Sequence, residues 1–132
     1  MTIEYAVEYA DRIKPNNFDN DDMIRWINEV EALIQTKILL IDINDVIQYG
    51  SWNEDKNTEL IIPPPHDKVY TTYLLAEIDN ANGEYNRYAN TKLQFDAAFA
   101  ELARWVSQTY APANRHLNNR IKGREANIHG LL

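Results

Sequence analysis

Residues 82–110 read NGEYNRYANTKLQFDAAFAELARWVSQTY, and this stretch decides the fold. Its apolar side chains recur at helical spacing, which predicts a helix from Glu84 to about Tyr110. The stripe on one face consists of Tyr88, Lys92, Phe95, Phe99, Leu102, Val106 and Tyr110. Small side chains that would permit a close neighbour stand at Ala97, Ala98, Ala100 and Ala103. At 1.5 Å per residue, such a helix is roughly 40 Å long.

Another helical pattern lies between the prolines at 63–65 and Asn82-Gly83. Its apolar positions are Val69, Tyr70, Tyr73, Leu74, Ile78 and Ala81. Proline suits the first turn of a helix, whereas Asn-Gly is a helix stop. Because the link between the two patterns is short, we expect an antiparallel hairpin. Its predicted core residues are Tyr73, Leu74, Phe95, Phe99, Leu102 and Val106.

The N-terminal third predicts two more helices. The first runs from Thr2, a capping residue, to about Lys14, and Pro15 ends it. Carboxylates at 19–22 favour the start of the next helix, which we expect to end near Leu40. Its apolar stripe supplies the remaining predicted core residues, which are Trp26, Ile27, Val30 and Ile34.

Residues 42–62 have the weakest helical pattern. Two β-like pieces, at about 46–49 and 59–62, could pair as a hairpin, and an irregular structured loop fits the sequence equally well. Trp52 stands in this loop, where it either packs onto the bundle or is offered to a partner. The predicted fold is therefore all-α: a small helical bundle with a long C-terminal hairpin, this loop and a basic tail.

Composition limits the possible functions. The chain has 132 residues, enough for one domain, and no cysteine, which rules out disulfides, thiolate metal sites and a cysteine nucleophile. The first residues carry acids and form no signal peptide, and the longest nearly apolar run, at 37–41, is too short for a membrane span. The net charge of −7 argues against tight binding to nucleic acid phosphates.

Residues with chemical potential are scattered. The three histidines, His66, His116 and His129, have no partner at metal-ligand spacing. The acids at 19–22 resemble a calcium loop only superficially, and the isolated glycines form no phosphate loop. We therefore predict no catalytic residue, no metal site and no cofactor, and hence a protein that is not an enzyme.

The charge is unevenly distributed. Residues 1–110 carry a net charge of −10 and residues 111–132 carry +3. Ordering this tail would require on the order of 20 kcal/mol of backbone entropy, more than its few apolar side chains clearly offset. We expect it to order only on a partner. The predicted partner-binding residues of the tail are Arg115, Leu117, Arg120, Ile121, Lys122 and Arg124.

Several stretches together carry a family resemblance. They are YADRIKPNNF (9–18), IRWINEVE (24–31), PPPHDKVYTTYLLAEID (63–79) and NGEYNRYANTKLQFDAAFAEL (82–102), followed by Trp105 and Thr109-Tyr110. In their order and spacing they resemble the head-tail connector, or adaptor, proteins of tailed bacteriophages and prophages of Gram-positive bacteria. The similarity covers most of residues 3–112.

The resemblance implies a structural virion protein of the phage neck, assembled in the host bacterial cytoplasm. Residues 1–110 would form the connector domain of a homo-oligomeric ring, dodecameric on assembly and possibly monomeric in isolation. The ring would dock beneath the portal protein through the tail, 111–132, and present a surface to the next neck or stopper protein. DNA would pass through its lumen without specific binding. The alternative is another neck or packaging accessory protein, such as a stopper or tail-completion factor.

Overall fold

The computed structural model describes residues 1–110, and within this range it is a bundle of helices with no strand. The helices are α1 (Ile3–Ile13), α2 (Asn20–Leu33), the short α3 (Trp52–Asp55), α4 (Lys68–Ala81) and α5 (Tyr85–Tyr110). A π-helical turn, Ile34–Ile38, continues α2, and a 3-10 turn covers Ile43–Asp45. The all-α prediction is confirmed for these residues. The predicted tail, with its partner-binding residues, lies outside them.

Local capping explains where the first two helices begin. Thr2 caps α1, because its hydroxyl accepts a hydrogen bond from the Tyr5 amide at 3.1 Å. Asp19 caps α2 in the same way, accepting from the Asp22 amide at 2.8 Å. The carboxylates at 19–22 therefore act as a helix start, as predicted from their position in the sequence.

The C-terminal hairpin forms around α4, which packs most extensively on α5 and also on α1 and α2. Gly83 adopts a φ of 71° in the turn between α4 and α5, a conformation that glycine tolerates at least cost. Contacts at both ends show that the two helices are antiparallel. Thr91 donates to Asp79 at 3.0 Å, and Lys68 pairs with Glu101 at 3.1 Å.

The structure corrects the predicted start of α4. The helix begins at Lys68, not at the prolines, and Pro63–Asp67 forms a turn in which the His66 amide donates to the Pro63 carbonyl. Pro63 and Pro64 each precede another proline, and a residue in that position is disfavoured in helical conformation. This preference outweighs the suitability of a single proline for a first helical turn.

The β-hairpin considered for 46–49 and 59–62 does not form. The only β-type pairing in the described residues is an isolated bridge between Thr2 and Glu59. Residues 46–51 form no strand, and the backbone groups of Ile47 and Tyr49 bond to side chains of the π-helical turn and of α2 instead of to another strand. The structured-loop alternative is the one that the structure adopts.

The core lies where α1, α2 and α4 meet and where α5 covers α4. Among the predicted core residues, the buried ones are Trp26, Ile27, Val30, Ile34, Leu74, Leu102 and Val106. Tyr73, Phe95 and Phe99 are only partly buried and pack against the core from its edge. The buried face of α5 also includes Thr91 and Ala98, whereas Lys92, which we assigned to the apolar stripe, is exposed.

Candidate functional site

A row of polar side chains on α2 and on the π-helical turn that continues it holds the irregular segment 46–62. Asn28 donates to the Tyr49 carbonyl at 3.1 Å and accepts from the Tyr49 amide at 2.8 Å. Gln35 makes the same pair of bonds with Ile47, at 3.1 and 2.9 Å. Each side-chain amide thus supplies the donor and acceptor that a neighbouring strand would offer. We call Asn28, Glu31 and Gln35 the α2 clamp.

Glu31 lies at the centre of the clamp and is fully buried. Its carboxylate accepts hydrogen bonds from the Tyr49 hydroxyl at 2.6 Å, the Tyr70 hydroxyl at 2.5 Å and the Ile61 amide at 3.1 Å. The Tyr70 hydroxyl in turn accepts from the Ile62 amide at 2.9 Å. A buried carboxyl group with several donors is stabilised by them.

Burial raises the pKa of the Tyr70 phenol well above its ordinary value, and the adjacent Glu31 carboxylate raises it further. The phenol therefore stays protonated and acts as a donor over the physiological range. Glu31 and Tyr70 are both fully buried, so no substrate reaches them in this conformation. Their arrangement fits a structural role, the fixing of the loop onto α2 and α4.

Trp52 begins α3 inside the clamped segment. Its side chain is partly buried and packs against the core, so the structure favours the packed alternative over full presentation to a partner. The segment is also tied to α1, because the amides of Ile3 and Glu4 donate to the carbonyls of Thr58 and Lys56. Trp52 is thus held in a fixed position on one side of the bundle.

Other polar groups line the edges of the bundle. The Tyr73 hydroxyl donates to Glu29 at 2.9 Å, and burial followed by this bond raises the pKa of Tyr73. Burial and the nearby Glu29 raise the pKa of Glu77 as well. His66 stacks on Trp105 with ring centroids 4.5 Å apart, which gives this histidine a packing role. Within residues 1–110, no three His, Cys, Asp or Glu side chains are grouped to hold a metal ion.

A small cavity of about 220 Å³ lies near the α4–α5 turn. Among its lining residues, Asp79 is buried and pairs with Lys14 at 3.1 Å. Arg87, also on the wall, pairs with Glu84 at 3.1 Å. Since these charged groups pair with one another, the cavity presents no unmatched charge from them to a ligand.

Some of the exposed apolar side chains group into two surfaces. The first is the outer side of α5, where Ala89, Leu93, Ala97 and Ala100 are exposed at helical spacing, opposite the buried face. Leu93 is 67% exposed. The second is the end loop, residues 39–45, where Leu40 and Ile43 are 76% and 77% exposed. A solvated face normally carries polar side chains at such positions.

Comparison with known proteins gives no match: no family model fits the chain, and no curated protein or solved structure is similar to it. None of the helices in residues 1–110 combines the length and apolar character that a membrane span requires.

Sequence reasoning missed the α2 clamp and the end loop. The clamp residues stand at 28, 31 and 35, a helical spacing beside the apolar stripe of α2. This pattern was a usable signal, but a polar row next to an apolar stripe more often faces water. The predicted tail residues, among them Arg115 and Arg120, lie outside the described residues.

Proposed function

We propose that the chain is a structural head-tail connector of a tailed bacteriophage. Its subunits form a ring beneath the portal and link the DNA-filled capsid to the tail. The proposal starts from the sequence resemblance, and the apolar outer side of α5 is the observation that supports it best. A connector ring needs a lateral surface on each subunit, and a long helix with apolar residues on two opposite sides offers one.

The outer side of α5 suits close packing between subunits. Ala89, Ala97 and Ala100 have short side chains, so the backbone of a neighbouring helix can approach closely. Leu93 protrudes from this surface and is mostly exposed in the single subunit. Burying a leucine stabilises a contact by about 1.5–3 kcal/mol, so Leu93 is the natural anchor of this interface.

The remaining features are compatible with a passive neck component. The two buried carboxylates of residues 1–110, Glu31 and Asp79, are bonded to other side chains. The net charge of −10 on residues 1–110 would let DNA slide through a lumen without being retained. In this proposal, residues 111–132 contact the portal. A separate surface of the ring contacts the next neck protein.

Reconstitution with the portal protein of the same phage tests the proposal. Negative-stain images of the mixture should show rings of the chain attached to portal rings. A monomer in the absence of portal decides little, since a weakly associating connector assembles on its partner. Failure to attach under any condition that keeps both proteins folded would eliminate the connector function. Attachment to an already assembled connector, rather than to the portal, would indicate a stopper.

A pair of variants locates the lateral surface. Leu93→Glu places a charge in the outer stripe and should abolish ring formation without changing the melting temperature of the subunit. Gln94→Glu adds the same group at the next exposed position, outside the stripe, and should leave rings intact. Equal ring formation by the two variants would show that subunits do not meet through this side of α5.

A further inference from the structure

Backbone and side-chain hydrogen bonds hold the end loop in a defined conformation. The amides of Leu39 and Ile41 donate to the carbonyls of Ile34 and Gln35 at 3.0 and 2.9 Å, which fixes the loop to the end of the π-helical turn. Asp42 accepts from the Asn44 amide at 2.8 Å and caps the 3-10 turn. These bonds hold two aliphatic side chains, Leu40 and Ile43, in solvent.

Leu40 is unusual in two respects. Its φ is 56°, in the left-handed region where glycine or asparagine is the ordinary choice, and its side chain is 76% exposed. A leucine here bears backbone strain and gains almost no burial from the described residues. Both disadvantages are explained if the side chain has a contact that residues 1–110 do not supply.

Three contacts show where the chain leaves α5 relative to the end loop. Glu31 and Glu29 of α2 bond to Tyr70 and Tyr73 of α4, so α2 runs antiparallel to α4. The Lys68–Glu101 pair places the C-terminal part of α5 beside the start of α4. The C-terminal ends of α2 and α5 therefore lie at the same end of the bundle, and residue 111 begins there.

The distance can be spanned by the same chain. Where they pack on a common neighbour, two helices have axes within about 20 Å of each other, since each interaxial distance is about 8–10 Å. Seven extended residues, 111–117, reach about 23 Å. Leu117 is therefore within reach of the end loop, and Ile121 follows it four residues later in the sequence.

The charges are complementary. The end loop carries Asp42 and Asp45, both exposed, and Lys37 is the one base between 34 and 45. The segment 115–124 carries Arg115, Arg120, Lys122 and Arg124 and no acid. Opposite charges around a small apolar contact give it a defined location.

We propose that the end loop is a seat for the same chain's residues 115–124, in which Leu117 and Ile121 cover Leu40 and Ile43. The contact is small and does not offset the entropy of ordering the whole tail, so it is transient. A tighter partner, on which the tail orders stably, can displace it. This inference does not depend on the proposed connector function. If the portal takes the segment, as that function supposes, its binding would also uncover the end loop for a second contact.

A spin label tests the seat directly. The chain has no cysteine, so Asn118→Cys provides a single attachment site for a nitroxide in the full-length protein. Methyl signals of Leu40 and Ile43 should lose most of their intensity, whereas those of Leu93 should keep theirs. An equal effect on all three side chains, or none, would overturn the proposal. So would an effect that disappears on dilution, because a second copy would then supply the segment.

Limited digestion of the full-length chain with trypsin gives a second measurement. Ile43→Ser should speed cleavage after Arg120 and Lys122 several-fold, and high salt should do the same in the unchanged protein. Leu93→Ser is the matched control, because Leu93 is a similarly exposed aliphatic residue on the side of the bundle. Identical cleavage rates in Ile43→Ser, Leu93→Ser and the unchanged chain would also overturn the proposal.

Discussion

The α4–α5 hairpin and the segment 39–62 are held to the bundle by different forces. In the hairpin, apolar side chains such as Leu74 and Leu102 are buried against each other's helices, and its polar bonds are mostly short-range. In the segment, the α2 clamp bonds directly to backbone groups at 47, 49 and 61. A periodic helix can form from its own hydrogen bonds, whereas an irregular buried segment needs partners for its amides and carbonyls.

Removal of Glu31 should produce the largest loss of stability. Glu31→Ala leaves two phenol hydroxyls and the Ile61 amide without their acceptor in a buried site, which should lower the free energy of unfolding by about 4 kcal/mol. Urea unfolding followed by circular dichroism measures it. Glu29→Ala is the control on the same helix, where the partly solvated bond to Tyr73 should contribute about 1 kcal/mol at most. Equal effects of the two substitutions would mean that the clamp is not what holds the segment.

Leu102→Ala tests the apolar side of the comparison. Leu102 is fully buried in the hairpin, and its truncation should lower the free energy of unfolding by about 3 kcal/mol through lost transfer energy and a new cavity. Leu93→Ala removes the same atoms from an exposed position of the same helix and should change stability by less than about 0.5 kcal/mol. A large loss of stability in Leu93→Ala in the isolated subunit would mean that Leu93 makes a contact within the folded subunit.

The same contrast explains what could be predicted from the sequence. The helices α1, α2 and α5 follow from periodicity, and their ends follow from Thr2, Asp19 and Gly83, because each of these signals is local. The clamp joins groups between 12 and 39 residues apart, as in Gln35–Ile47 and Glu31–Tyr70. No local pattern specifies which of two polar partners, a second strand or a helix side chain, will satisfy a given backbone amide.

The phase of α5 shows a smaller error with the same origin. The predicted stripe included Lys92, which is exposed, and omitted Thr91, which is buried because its hydroxyl donates to Asp79. Helical spacing from Tyr88 placed Lys92 in the stripe instead of Thr91, whereas the stripe residues Tyr88, Phe95, Phe99, Leu102 and Val106 are buried or partly buried. The two exposed apolar surfaces were not predictable either, since exposure depends on which helix face finds a neighbour.

Alkaline pH should lower the free energy of unfolding through the Tyr70 phenol, which bonds to Glu31 of the clamp. The pKa of Tyr70 is raised above its usual 10.0 in the folded chain, so the unfolded state loses this proton first as the pH rises. Stability is therefore complete below pH 10.0 and falls above it, by at most about 1.4 kcal/mol per pH unit for this group. Urea titrations at several alkaline pH values measure the slope. Tyr70→Phe should reduce it by up to that amount, and an unchanged slope would show that Tyr70 ionises equally in both states.

The smallest expected effect comes from two left-handed residues, one in each region. The hairpin uses Gly83, with a φ of 71° and open space around its Cα, whereas the end loop uses Leu40, with a φ of 56°. In a chain that ends at Tyr110, and so lacks the segment proposed to cover Leu40, Leu40→Gly should relieve backbone strain and raise the free energy of unfolding by up to about 1 kcal/mol, since the exposed side chain then contributes little burial. Gly83→Ala should lower it by about 1 kcal/mol, because alanine is strained at positive φ. Thermal melting of both variants beside Leu40→Ala, which keeps the strain, separates the backbone effect from the lost side chain. If Leu40→Gly and Leu40→Ala were equally destabilising in that shortened chain, the leucine side chain would be making a contact within residues 1–110 that outweighs the strain.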